Sequence, residues 1–123
     1  MSEKILVIDD EVEITRLLKI KLEREGYAVS LALNGQEGLQ LAETVRPHLI
    51  LLDVVMPGKD GYEVLTALKR NPTTKEIPVI MLTGKVYDDD IQKGFDLKAD
   101  NYIAKPFHSD LILKRIETVL GRR

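Results

Sequence analysis

The sequence predicts an α/β fold built on a doubly wound, five-stranded parallel sheet with five helices, and two observations lead to this prediction. Short apolar runs recur along the 123 residues, and a segment with apolar residues at helical spacing follows each run. The third run, "LILLD" at residues 49–53, is apolar enough for a strand that is covered on both faces. Strands that alternate with helices pair in parallel through right-handed crossovers, which places helices on both sides of the sheet.

Turn and capping residues delimit the first half of the pattern. Strands are predicted at residues 4–8, 28–32 and 48–53, with helices at 12–25 and 36–45 between them. Gly26 suits the end of the first helix, Asn34-Gly35 is a turn signal, and Pro47 ends the second helix.

The second half continues the same alternation. Asp60 is a candidate cap for a helix that begins near Tyr62 and closes at Asn71-Pro72. A fourth strand at 77–83 precedes a helix at 88–97, whose first turn is acidic as the helix dipole favours. A fifth strand at 101–104 leads to a last helix capped by His108 or Ser109.

Composition excludes several classes of protein. Eighteen basic against 20 acidic residues give a net charge of −2, which does not favour nucleic-acid binding. Without cysteine, there is no disulfide framework and no thiolate metal site. No signal peptide and no apolar stretch of about 20 residues is evident, so we expect a cytoplasmic protein without a membrane segment. The length predicts one domain, residues 1–123.

Polar residues end four of the predicted strands. Asp9 and Asp10 follow the first strand, Asp53 ends the third, Thr83 ends the fourth, and Lys105 follows the fifth. In a doubly wound sheet, ligands bind at the carboxyl ends of the strands. We therefore expect these five residues to meet at one edge of the sheet and to form the functional site.

Three carboxylates in one cleft repel each other, and a hard divalent cation with oxygen ligands compensates them. Mg²⁺ is the predicted cofactor, because it binds through a few carboxylates together with water and phosphate oxygens. Asp10 and Asp53 are the predicted direct ligands, Asp9 acts through a bound water, and the backbone carbonyl of Val55 completes the set.

The same constellation suits phosphoryl transfer, which needs a nucleophile, a metal ion and cationic groups. Asp53 is the predicted nucleophile, because it alone ends a central strand that faces both the metal and Lys105. Thr83 offers a hydroxyl to the new phosphoryl oxygens, and Lys105 provides a fixed positive charge.

Four segments together resemble the response-regulator receiver domains of two-component signalling, over essentially the whole chain. They are "VIDDE" at residues 7–11, "LLDVVMPGKDGYEVL" at 51–65, "VIMLTGK" at 79–85 and "DNYIAKPF" at 100–107. The resemblance implies a flavodoxin-like (βα)5 fold. It also implies a signalling phosphoprotein that is not an enzyme, beyond assisting its own phosphorylation and dephosphorylation.

The resemblance further implies partners and roles. A sensor histidine kinase or phosphotransfer protein would hand a phosphoryl group from its phosphohistidine to Asp53. Asp9 and Asp10 would serve the metal, Thr83 and Lys105 would bind the phosphoryl group, and Tyr102 occupies the position of the switch aromatic. The responding surface would comprise the fourth predicted helix, the fifth strand and the last helix, where an effector or a second copy would bind.

A partner surface is predicted beside the acidic pocket. Ile14 and Leu17 lie to one side of the buried stripe of the first helix, and Pro106 and Phe107 follow Lys105. An apolar patch beside a reactive site is typical of a docking surface. The alternative is that Ile14 and Leu17 simply widen the stripe that packs on the sheet.

Two other functions remain as alternatives. An Mg²⁺-dependent phosphohydrolase that forms an aspartyl phosphate needs its nucleophile and its acid two residues apart, whereas Asp9 and Asp10 are adjacent. A flavin-binding electron carrier needs a loop that accepts phosphate after the first strand, where two aspartates would repel it. Taken singly, the Asp9-Asp10 pair also suits a helix cap, and Tyr102 suits an ordinary edge strand.

Overall fold

The chain forms a five-stranded sheet in a computed structural model that describes residues 3–54, 60–83, 99–105 and 108–121. The strands are β1 (Lys4–Ile8), β2 (Ala28–Ala32), β3 (Leu49–Asp53), β4 (Val79–Thr83) and β5 (Asn101–Ala104). Every neighbouring pair is parallel, and the strand order is β2-β1-β3-β4-β5. The five parallel strands predicted from the sequence are thus confirmed.

Four helices lie within the described ranges: α1 (Val12–Arg24), α2 (Gly35–Val45), α3 (Gly61–Arg70) and α4 (Ser109–Leu120). The helix predicted at residues 88–97 lies outside the described residues, so α4 is the fifth helix of the sequence-based prediction. In the part of the chain that is described, no helix is both long and apolar enough to cross a membrane.

Two observed strands are shorter at their start than predicted. β3 begins at Leu49, after His48, and β4 begins at Val79, after Pro78. Pro78 has no backbone N–H to donate to a ladder, although its carbonyl accepts from the Ile50 amide at 3.0 Å. The prediction began the fourth strand at Ile77, which is β-branched, and the third at His48, whose amide still donates to the carbonyl of Lys4 at 2.8 Å.

Alternate residues of each central strand point to opposite faces of the sheet, and each face has its own core. Leu6, Ile8, Ile50 and Leu52 pack in one cluster with residues of α2 and α3. Ile5, Val7, Leu49 and Leu51 pack in a second cluster with residues of α1 and α4. Burial of β3 on both faces explains why its sequence is continuously apolar up to Asp53.

Side chains cap the starts of α2 and α3. Asn34 accepts a hydrogen bond from the Glu37 amide at 2.8 Å at the start of α2. Asp60 accepts one from the Glu63 amide at 2.9 Å at the start of α3, which confirms the predicted cap. These bonds satisfy amides that lack a partner inside the helix and fix where each helix leaves the sheet.

Helix α2 lies so close to β1 at Gly38 that a side chain has no room there. A Cβ atom at Gly38 would lie 2.5 Å from Cδ1 and 2.8 Å from Cγ1 of Ile8. Gly38→Ala should therefore destabilise the protein by about 1–3 kcal/mol, since overpacking outweighs the better helix propensity of alanine. Chemical denaturation measures this change.

The matched control is Gln40→Ala, at an exposed position of the same helix. It should change the free energy of unfolding by no more than about 0.5 kcal/mol. A Gly38→Ala protein that is as stable as the parent would contradict the tight approach of α2 to β1.

Candidate functional site

The carboxyl ends of β1, β3, β4 and β5 meet at one edge of the sheet, as the sequence predicts. Asp9, Asp53 and Thr83 are almost completely buried there, with Asp53 only 3% exposed, and Asp10 is partly buried. Lys105 follows β5 directly, and its amide donates to the carbonyl of Thr83 at 2.6 Å. The fold therefore brings all five predicted strand-end residues to the same edge.

Three carboxylates form a compact acidic cluster at this edge. One carboxylate oxygen from each of Asp9, Asp10 and Asp53 lies within 4.8 Å of the others. Hard divalent cations prefer oxygen ligands, and Mg²⁺ is bound through one or two carboxylates with the remaining positions filled by water and phosphate. The donor set fits such an ion. Val55, the fourth predicted ligand, lies outside the described residues.

Lys105 provides the positive charge that faces this cluster. Its Nζ donates to Oδ2 of Asp9 at 2.8 Å and to Oε1 of Glu11 at 2.6 Å. The same nitrogen lies 3.5 Å from Oδ2 of Asp53. The buried carboxylates are thus compensated in part by one ammonium group that reaches across the sheet edge from β5.

The surroundings of Lys105 keep it protonated. Burial lowers the pKa of its ammonium group, but hydrogen bonds to Asp9 and Glu11 and the charges of Asp9 and Asp53 act in the opposite direction. The hydrogen bonds and charges together outweigh burial, so the pKa of Lys105 lies above its ordinary value. Lys105 therefore carries its full charge at neutral pH.

Glu11 is part of the site, although its sequence position had not indicated a role. Its carboxylate is about half exposed and bonds to Lys105, while its amide donates to Oδ1 of Asp9 at 2.9 Å. Asp9 thus receives one hydrogen bond from the ammonium group and one from the backbone. The position of Glu11 in the acidic run "DDE" was the available signal, but only the fold turns it toward a lysine 94 residues away.

Gly61 is a second residue whose role the sequence did not indicate. A Cβ atom at this position would lie 2.3 Å from the carbonyl oxygen of Asp53 and 2.6 Å from Cα of Val54. The Gly61 amide also donates to the carbonyl of Val54 at 2.7 Å. The start of α3 is therefore pressed against the backbone of Asp53, and only glycine fits there. The Asp60-Gly61 pair had indicated a turn alone.

Tyr102, the predicted switch residue, is half-buried on β5. Its side chain packs against the cluster on the α2 and α3 face, and its hydroxyl donates to the hydroxyl of Tyr62 at 2.9 Å. Thr83 lies one strand away and is paired with Ala104 in the sheet register. The functional roles of Thr83 and Tyr102 stay predictions.

The predicted partner surface is described only in part. Leu17 is 67% exposed, while Ile14 is partly buried and packs against the cluster on the α1 and α4 face. Ile14 therefore widens the buried stripe of α1, which was the alternative to a role in the partner surface alone. Pro106 and Phe107 lie outside the described residues.

Comparison with known proteins identifies the class of protein that this fold and site define. The chain belongs to the response regulator receiver domain family, whose model matches residues 5–117. The α/β fold with five parallel strands is flavodoxin-like, and the resemblance to the receiver family is thereby confirmed.

Solved structures and curated relatives agree with this assignment. The chemotaxis protein CheY4 of Vibrio cholerae matches with a TM-score of 0.93 and 31% identity, over 97% of this chain and 99% of that protein. A putative response regulator from Chloroflexus aurantiacus matches with a TM-score of 0.92 and 32% identity, over 99% of this chain and 100% of that one.

Among the curated relatives are transcriptional regulators. The alkaline phosphatase synthesis transcriptional regulatory protein PhoP of Bacillus subtilis is 43% identical over 99% of this chain, which spans 50% of that protein. The DNA-binding dual master transcriptional regulator RpaA of Synechocystis is 42% identical over 97% of this chain and 49% of that protein. The chain thus spans about half the length of these relatives.

The acidic cluster leads to a prediction about Asp10. Replacing Asp10 by asparagine removes one of three repelling charges, so Asp10→Asn should stabilise the protein by about 1 kcal/mol in the absence of divalent ions. The same change should abolish most of the rise in melting temperature that Mg²⁺ gives the parent, because ligands that bind the folded state stabilise it.

Asp110→Asn is the matched control, since it removes the same charge at an exposed carboxylate on α4. That variant should keep the full response to Mg²⁺. Thermal melts with and without Mg²⁺ measure both effects. If Asp10→Asn gains as much melting temperature from Mg²⁺ as the parent does, Asp10 is not a ligand.

Proposed function

We propose that this receiver domain accepts a phosphoryl group on Asp53, with Mg²⁺ as its cofactor. The observation that carries the proposal is the position of Asp53: a buried carboxylate at the end of β3, within the acidic cluster and 3.5 Å from the Lys105 ammonium. Burying a charged carboxylate is unfavourable unless opposite charges or hydrogen bonds compensate its lost hydration. A charged and oriented carboxylate is also what a phospho-acceptor requires.

The donor in this proposal is the phosphohistidine of a sensor histidine kinase or a phosphotransfer protein. An oxygen of Asp53 attacks the phosphorus atom, the new O–P bond forms, and the N–P bond breaks. Its electron pair returns to the imidazole of the donor. The product is an acyl phosphate on Asp53, and hydrolysis by water returns the carboxylate.

The surrounding residues have separate tasks in this transfer. Asp10 and Asp53 would hold Mg²⁺ directly and Asp9 through a water molecule, together with the carbonyl of Val55. When bound, the ion neutralises negative charge on the phosphoryl oxygens. Lys105 stabilises the same charge from the side of β5, and Thr83 donates its hydroxyl to a phosphoryl oxygen. The domain assists its own phosphorylation and dephosphorylation and catalyses no other reaction.

A phosphohydrolase that forms an aspartyl phosphate is the second candidate, and the site gives it less support. Such an enzyme needs an acid two residues after its nucleophile on the same strand end. The acidic partners of Asp53 come instead from β1, and the cation that faces them comes from beyond β5. Family membership also favours signalling over hydrolysis of an external substrate.

The switch in this proposal links the phosphoryl group to a distant surface. Thr83 ends β4, so a hydroxyl drawn toward the phosphoryl group carries the residues that follow it along. Tyr102 on the adjacent strand responds by changing its position. The surface that changes comprises residues 88–97, for which we propose a helix, together with β5 and α4. An effector or a second copy of the chain would bind there, and the two states need differ by only a few kcal/mol.

The wider setting is also a proposal. Residues 1–123 would form a single receiver domain that acts in the cytoplasm without contacting nucleic acid itself. Because the curated relatives are about twice as long and their names describe transcriptional regulators, an output domain in the same protein is one route for the signal. The kinase would dock on Ile14, Leu17, Pro106 and Phe107, beside the opening of the site.

The acceptor is tested by substitution of Asp53. Incubation with acetyl phosphate and Mg²⁺ should add one phosphoryl group, labile to base and to hydroxylamine, and Asp53→Asn should take up none. Mass spectrometry of the intact protein measures the addition. Asp60→Asn is the control, because it keeps a cap for α3 and leaves the acidic cluster unchanged. Uptake of the group by Asp53→Asn would refute the assignment.

The docking surface is tested by comparing two phosphoryl donors. Leu17→Glu, at an exposed position, should slow transfer from the cognate kinase at least tenfold, because a hot-spot contact contributes about 1.4 kcal/mol or more. Labelling by acetyl phosphate should not change. Ile14→Glu should act in the same direction, with some loss of stability because Ile14 also packs against the core.

Leu33→Glu is the matched control, since Leu33 is an exposed leucine outside this surface. It should be phosphorylated normally by both donors. Equal slowing of both donors by Leu17→Glu would show that the substitution damages the site, and the docking assignment would then be wrong.

A further inference from the structure

Two tyrosines join through their hydroxyl groups on one face of the sheet. Oη of Tyr102 donates to Oη of Tyr62 at 2.9 Å, and the two rings pack in the cluster that also contains Met81. Met81 lies beside Tyr102 in the register of β4 and β5. We call Tyr62 and Tyr102 the tyrosine pair. It joins the start of α3 to the middle of β5, elements 40 residues apart in sequence.

Tyr62 is fixed relative to the backbone of the proposed phospho-acceptor. It directly follows Gly61, which has no room for a Cβ atom beside the carbonyl of Asp53 and whose amide donates to the carbonyl of Val54. Tyr62 itself is almost completely buried, and its carbonyl accepts from the Thr66 hydroxyl at 2.9 Å. A buried tyrosine at a capped helix start has little freedom to follow a moving partner, so its hydroxyl is a fixed anchor.

Tyr102 has a fixed backbone and a side chain that is only half-buried. Arg115 of α4 donates to the carbonyl of Tyr102 at 3.2 Å, and the Tyr102 amide donates to the Asn101 side chain at 2.8 Å. β5 also pairs with β4 along its whole length. Any change in the position of Tyr102 is therefore a rotation of its side chain about a stationary strand.

We propose that Tyr62 is a positioning residue for Tyr102. Its hydroxyl holds the Tyr102 ring in the inward position, packed on the core, and outward rotation requires the tyrosine pair to separate. Since a hydrogen bond between neutral groups contributes modestly to stability, we expect the pair to favour the inward position by about fivefold. The consequence for signalling rests on the proposed role of Tyr102 as the switch, because a shift in its population would change the response.

A double-mutant cycle tests the pair without any phosphoryl group. Tyr62→Phe and Tyr102→Phe should each raise the unfolding equilibrium constant by about fivefold. The double variant should fall short of the product of the two effects by about the same factor, because each single change breaks the same bond. Strictly multiplicative effects would overturn the proposal. Tyr27→Phe, which removes the hydroxyl of a buried tyrosine on the other face, should combine multiplicatively with both.

A spectroscopic measurement separates positioning from simple loss of stability. In protein labelled with 3-fluorotyrosine, the ¹⁹F resonance of Tyr102 is identified by its absence in Tyr102→Phe. Tyr62→Phe should move this resonance toward the position of solvent-exposed fluorotyrosine and increase its solvent isotope shift. Tyr27→Phe should leave it in place. An unchanged Tyr102 resonance in Tyr62→Phe would overturn the positioning role.

Binding of beryllofluoride with Mg²⁺, an analogue of the phosphoryl group, tests whether the tyrosine pair affects the proposed function. If inward Tyr102 accompanies phosphorylation, Tyr62→Phe should weaken beryllofluoride binding by up to about fivefold, while Tyr27→Phe should not. Tighter or unchanged binding in Tyr62→Phe would overturn the link to signalling. A parent protein that fails to bind beryllofluoride would contradict the proposed function instead, and the cycle and the ¹⁹F measurement would still decide the role of Tyr62.

Discussion

Charge compensation around Asp53 is the constraint on which the rest of the site depends. Asp9 and Asp53 are buried at adjacent strand ends, close enough that their charges repel, and Asp10 adds a third carboxylate. The Lys105 ammonium contacts Asp9 and lies near Asp53, and its raised pKa reflects the negative charge around it. One cation does not neutralise three carboxylates, and this imbalance makes the site suited to a divalent ion.

The order of the strands brings these charged groups together around Asp53. β1 and β4 flank β3, so the acids of β1 and the threonine of β4 end on either side of Asp53. Lys105 begins two strands away, and the length of its side chain lets it reach back across the edge. Among the described residues, the buried carboxylates Asp9 and Asp53 both lie at this rim, where Lys105 faces them.

Helix α3 connects this rim to β5. Its first residue, Gly61, lies against the backbone of Asp53, and its second, Tyr62, reaches the hydroxyl of Tyr102 on β5. A helix that contacts both the backbone of the proposed phospho-acceptor and the side chain proposed to move is a physical route for coupling between them. This route consists of packing and one hydrogen bond, and it is separate from the route proposed through Thr83.

The sequence by itself determined the fold and the identity of the strand-end residues, because both follow from local patterns. Apolar periodicity indicates strand or helix, and alternation of the two implies a parallel sheet whose carboxyl ends share one edge. Asp9, Asp10, Asp53, Thr83 and Lys105 could therefore be assigned to one site before any distance was known. The starts of β3 and β4 were less determined. Ile77 continues the β-branched pattern ahead of β4, and His48 bonds to Lys4 of β1 although β3 begins at Leu49.

Only the tertiary structure decided which side chains meet across that edge. The bonds from Lys105 to Glu11 and from Tyr102 to Tyr62 join residues 94 and 40 positions apart, and no periodicity encodes such pairs. The need for glycine at position 61 likewise arises from the approach of α3 to the Asp53 backbone, a distance that the Asp60-Gly61 turn signal does not contain. The position of Ile14 was also decided by tertiary contacts. Helical spacing placed it beside the buried stripe of α1, whereas in the structure it packs against the core. Local sequence specifies an element and the direction of its faces, whereas contacts between distant elements depend on how those faces are pressed together.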